Sequence, residues 1–114
     1  MNGVPESCRA ARAAGIHPVI GCEVYVCPDV HAAVSADGCS RLVLLCENRT
    51  GYRNLCKLVS ESWTHCDGDF PRADWAMLEK YHEDLIALSA GVFGEVFRLL
   101  RAERVEEARS AARR

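Results

Sequence analysis

Arg41-Leu42-Val43-Leu44-Leu45-Cys46 is the stretch whose reading decides the fold class. After Arg41 it is a run of consecutive apolar residues with no polar alternation. Such a run reads as a strand covered on both faces, the kind found in parallel sheets. Toward the N-terminus, Pro18 to Cys27 (PVIGCEVYVC) is rich in valine, isoleucine and tyrosine and reads as another strand. Before it, residues 4–14 read as a short helix, with Pro5 suited to a first turn and Gly15 to a C-terminal stop. Toward the C-terminus, Tyr52, Leu55, Cys56, Val59 and Trp63 recur at helical spacing, so residues 50–65 are expected to form an amphipathic helix. Residues 66–71 read as a loop, 73–81 as a helix with Asp74 at its N-cap, and 84–89 (DLIALS) as a further buried strand. Helices over 94–101 and 104–113 close the chain.

Buried strands separated by helices define an α/β layer or barrel with a mainly parallel sheet. A closed barrel of that kind needs about eight strands and typically ~250 residues. Three strands in 114 residues are therefore expected to be an incomplete unit. No internal repeat or low-complexity linker divides it.

A formal net charge of -2 gives no overall attraction to nucleic acid or to membranes. No apolar run reaches the ~20 residues needed to cross a bilayer, and the start Met1-Asn2-Gly3-Val4-Pro5-Glu6 lacks the basic and apolar regions of a signal peptide. A cytoplasmic location is the expectation. The seven cysteines are an odd number, with no Cys-x-x-Cys pair among them. Cys22, Cys46 and Cys56 lie within apolar runs, and the cysteines are expected to be packed free thiols.

Several blocks carry a family resemblance. Ala14-Gly15-Ile16-His17-Pro18-Val19-Ile20-Gly21-Cys22-Glu23-Val24-Tyr25-Val26 resembles the signature AGIKPIIGCEVYV of bacterial replicative polymerase alpha subunits. Leu42 to Leu45 and Gly51-Tyr52-Arg53-Asn54-Leu55-Cys56-Lys57-Leu58-Val59-Ser60 resemble LVLLAKNETGYRNLCKLVS. Leu78 to Ala90 (LEKYHEDLIALSA) resembles LLEKYSEGLIALSA, and Gly94-Glu95-Val96 and Glu106-Glu107-Ala108 fall where the family has GEVPRLL and EEA. The blocks follow one another in order over nearly the whole chain. On these residues the chain resembles the PHP domain of bacterial DNA polymerase III alpha subunits. The resemblance implies a partial, distorted (β/α)7 barrel with mainly parallel strands. It also implies that residues 1–114 are an incomplete domain, with the family's His-x-His and TDHGN segments lying before it and further barrel strands after it.

In intact members the domain holds zinc, manganese or magnesium and can support 3′–5′ exonuclease proofreading. The resemblance places one such metal ligand at Glu23. It puts Arg41 where the family usually has a ligating histidine and Gly91 where it often has a cysteine. One ligand position is not a metal centre, so no cofactor is expected, no catalytic residue is assigned, and Glu23 is read as vestigial. The remaining histidines offer little. His31 near Cys27 and His65 beside Cys66 would make at most adventitious zinc sites. His17 reads as a surface residue and His82 as a helix-terminating one. Residues 98–114 hold six arginines against three glutamates, read as a solvated helix with i,i+4 pairs rather than a phosphate-binding surface. Gly51-Tyr52-Arg53-Asn54 opens a helix without the shape of a phosphate loop, with Tyr52 and Leu55 expected to anchor that helix on the sheet.

The reading that emerges is a structural, catalytically inactive piece of a DNA replication polymerase. Its partners would be the remaining alpha chain or other replisome subunits, and it would meet DNA only through the full polymerase. The alternatives are a PHP-superfamily metal-dependent phosphoesterase or exonuclease, and an interaction module that packs on a polymerase or clamp.

Overall fold

A computed structural model describes residues 1–31, 38–66 and 70–114. Helix α1 spans Val4–Ala13. Its end was legible in Gly15: with φ 73° this glycine turns left-handed, and its amide and that of Ile16 close back on the carbonyls of Arg12 and Ala11, the paired bonds of a Schellman cap. Strands β1 (Gly21–Val26) and β2 (Ser40–Cys46) follow, then helix α2 (Arg49–Thr64), a two-residue strand β3 (Arg72–Ala73), helix α3 (Trp75–Tyr81) and strand β4 (Leu85–Ser89). A 3-10 turn over Gly91–Phe93 leads into helices α4 (Glu95–Arg101) and α5 (Val105–Arg113).

The sheet has the order β3-β1-β2-β4. β1 pairs with β3 in parallel, but with β2 antiparallel, and β2 pairs with β4 antiparallel. Three strands thus share one direction, and β2 runs against them between β1 and β4. The α/β class is as expected. The parallel expectation holds for the shared direction of β1, β3 and β4 and fails for β2, whose apolar run carried no information on direction. Among the described residues the four strands form an open sheet.

The core lies on one face of this sheet. Val24, Val26 and Leu44 meet Leu55 and Leu58 of α2 and Met77 and Leu78 of α3, with Leu42, Cys22, Cys46 and Leu85 packed at its margin. The buried stripe of α2 is Gly51, Leu55, Leu58 and Ser62. Ser62 can be buried because its hydroxyl donates to the Val59 carbonyl. Trp63, assigned to the apolar stripe from its spacing, is 62% exposed instead. The opposite face carries Glu23, Tyr25, Arg41, Val43, Leu45, Ile86 and Leu88, by the alternation of the registered strands. It is largely open, with Ile86 and Leu88 each more than two-fifths exposed. The expectation that residues 41–46 and 84–89 would be covered on both faces is therefore corrected. One face is packed, the other is not, and β4 is an edge strand.

The free-thiol expectation is corrected at two positions. The β1–β2 ladder ends at Val26 opposite Ser40, so the next residues outward, Cys27 and Cys39, face each other at 4.8 Å between Cα atoms and form a disulfide. Both are buried. The other five cysteines are free.

The Gly51 block has a packing role. Asn48 caps α2 through its side-chain oxygen, which accepts from the Gly51 amide. The helix then lies so close to the turn before β4 that a Cβ on Gly51 would stand 2.1 Å from the Asp84 carbonyl oxygen. Asn54 donates to the Glu83 carbonyl at 3.0 Å, and the Glu47 amide donates to that of Asp84. Leu55 is fully buried, as expected of an anchor, and Tyr52 is half-buried. Asp74 caps α3 by accepting from Met77, as its position predicted.

Candidate functional site

The positions singled out in the sequence converge on the open face of the sheet. Register places Glu23 opposite Val43 and Tyr25 opposite Arg41, so Glu23 and Arg41 stand diagonally on neighbouring strands, within reach of long side chains. The Arg41 guanidinium donates to the Glu23 carboxylate at 3.1 Å. It also lies over the Tyr25 ring, 5.2 Å from its centroid, and over the Phe93 ring at 4.3 Å. Phe93 is delivered by the 3-10 turn after β4, which begins at Gly91 with φ 56°. Gly91 itself faces open space. It contributes the left-handed bend that brings Phe93 round. Sequence reasoning missed Tyr25 and Phe93; the signal that could have found Tyr25 was the period-two alternation from Glu23.

A divalent ion needs several His, Asp, Glu or Cys donors converging on it. Among the described residues no group of three or more such side chains is placed to hold one. Glu23 supplies a single carboxylate, and an arginine, which has no lone pair to coordinate with, already bonds to it. The donor set present does not fit a metal ion. Burial, above all, raises the Cys22 and Cys46 thiols from their ordinary range, which keeps these two protonated and poorly nucleophilic.

The histidine pairs are resolved differently from their sequence neighbours. Cys27 is in the disulfide, and the His31 and His65 rings pack edge to face on each other, 5.5 Å between centroids. His17 is exposed, and His82 caps α3 with Nδ1 2.6 Å from the Glu79 carbonyl oxygen. Two of the C-terminal arginines form helix pairs, at i,i+3 rather than i,i+4: Arg104 with Glu107 and Arg109 with Glu106. Arg114 reaches Glu95 and lies over Trp75, and Arg98 donates to the Ser40 hydroxyl. Among the described residues no helix is long and apolar enough to cross a membrane.

The PHP domain model matches residues 1–114, and the chain belongs to that family. Its relatives narrow the class. The chain is 39% identical over 106 residues to the DNA polymerase III subunit alpha of Borreliella burgdorferi, an alignment covering 90% of this chain and 9% of that protein. It is 36% identical over 118 residues to the subunit of Treponema pallidum, covering 100% and 10%. To that of Chlamydia pneumoniae it is 46% identical over 79 residues, covering 66% and 6%. The chain thus spans about a tenth or less of the length of these curated relatives.

Proposed function

We propose that this chain is a portion of the PHP domain of a DNA polymerase III alpha chain, structural in role and without catalysis of its own. The observation that carries the proposal is the Glu23–Arg41 pair. In this reading Glu23 is a vestigial metal ligand, and Arg41 and Gly91 stand where further donors would be needed. A cationic, non-coordinating group bonded to the one remaining carboxylate leaves nothing to position water or to offset phosphate charge.

The open sheet face supports the other half of the proposal. Ile86, Leu88, Val43 and Leu45 form an apolar surface on a sheet with a free β4 edge, a surface that wants cover. The partner in this reading is further polymerase alpha chain, and DNA is met only through the assembled polymerase, since the net charge of -2 gives the chain no general hold on it. Two measurements test it. Metal analysis of the purified chain, with a 3′–5′ exonuclease assay in manganese or zinc, should give neither stoichiometric metal nor activity; a loaded, active chain would sink the structural reading. Co-expression with an alpha chain lacking the matching segment of its own PHP domain should give a stable complex.

A further inference from the structure

We propose that Arg41 is the resident cation of the open sheet face, fastening β1, β2 and the turn after β4 together as a bridging ion would. The inference deepens the structural reading above and rests on it for the comparison with a metal. Its own footing is geometric. One guanidinium on β2 reaches three groups on two other elements: the carboxylate of Glu23 and the ring of Tyr25 on β1, and the ring of Phe93 on the 3-10 turn. Carboxylate, two aromatic faces and a planar cation form a cage that an arginine fills better than a lysine, because only the guanidinium can stack and hydrogen-bond at once.

The Arg41 guanidinium over its ring is the contact that carries Phe93 toward the sheet. Phe93 is half exposed, and its turn has no buried residue. The turn keeps short backbone bonds of its own, from the Phe93 amide to Ala90 and from the Gly94 amide to Gly91. Behind it, α4 touches β2 through Arg98 and Ser40. Arg41 is thus what ties residues 91–93 to the Glu23 side of the sheet.

Hydrogen exchange at the Phe93 and Gly94 amides, in the 114-residue chain, reads this directly. Arg41→Gln should speed exchange there by roughly 3- to 30-fold, the span expected from one exposed ion pair and one cation–π contact. Amides of α2 should be unmoved. Arg41→Lys should fall between. Glu23→Gln in the Arg41→Gln background should add little, since the two act through one bond. Chelator, zinc or manganese should leave the wild-type pattern unchanged. Unchanged exchange at Phe93 and Gly94 in Arg41→Gln overturns the proposal, as does a lysine variant identical to wild type. If Arg41→Gln unfolds the chain, Phe93→Leu decides the matter: it should loosen the same amides, and its failure to do so overturns the fastening role. Metal-dependent protection in the wild type would instead overturn the metal-free reading of the site, a separate failure.

Discussion

Replacing Gly51 with alanine reverses an ordinary expectation, and the size of the reversal follows from the structure. Inside a helix, glycine to alanine usually stabilises by about 0.5–1 kcal/mol. At this position the new methyl would stand 2.1 Å from the Asp84 carbonyl oxygen and 2.9 Å from its carbon. Relief requires the helix and the turn to part by about 1 Å, a displacement that overpacked cores resist at ~1–3 kcal/mol. Parting them also strains the bonds from Asn54 to Glu83 and from Glu47 to Asp84, at ~0.5–1.5 kcal/mol each if lost. After subtracting the helix gain, Gly51→Ala should destabilise by about 1–5 kcal/mol, a large share of a small domain's stability. Urea unfolding followed by circular dichroism at the helix band measures it. Because the clash is with backbone, Asp84→Gly, which itself relieves a left-handed φ of 58°, should raise the wild-type and Gly51→Ala chains alike and leave the difference between them unchanged. A neutral or stabilised Gly51→Ala would refute the close approach and, with it, the account of the Gly51-Tyr52-Arg53-Asn54 block.

Other expectations are more compact. Reducing the Cys27–Cys39 bridge, which spans 12 positions, should cost about 3 kcal/mol on the chain-entropy model, read as a lower urea midpoint with a phosphine reductant than without. Glu103 holds a left-handed φ of 60° at the end of α4, where its amide and that of Arg104 return to Leu100 and Leu99. Glu103→Gly should therefore stabilise by roughly 0.5–1 kcal/mol, seen as a raised melting temperature. Glu61 is held below the ordinary carboxylate range, first by the Tyr81 hydroxyl and then by Lys80. Its depressed folded value makes its contribution complete above the unfolded carboxylate range and lost as pH falls through the folded value. Glu61→Gln should flatten the acid limb of a stability–pH profile while leaving its shape above neutrality unchanged.

Much of the layout was legible because helices and buried strands announce themselves by period and by caps. Gly15, Asp74 and the apolar run at Leu42–Leu45 each did what their chemistry required. Strand direction was not legible, since a run of leucine and valine reads alike either way along the chain. Missing the reversal of β2 also hid the disulfide, because Cys27 and Cys39 meet only if β1 and β2 are antiparallel neighbours. The strand β3 is two residues long and is held by pairing with Tyr25 and Val26, a tertiary fact with no local period. Trp63 misled because helical spacing does not say where the buried stripe ends. Of the site, Glu23, Arg41 and Gly91 were found as separate positions, yet their meeting through Phe93 depended on the diagonal between β1 and β2 and on one left-handed bend.

The bridge at the end of the β1–β2 ladder turns residues 27–39 into a closed covalent ring. A protease that cuts once within that ring produces no separable pieces while the bridge is intact, and the cut chain still runs as one molecule on a denaturing gel. Reduction then releases two chains from a single nick. The ring therefore records, in the mobility of a nicked sample, whether the thiols were oxidised before the protein was unfolded.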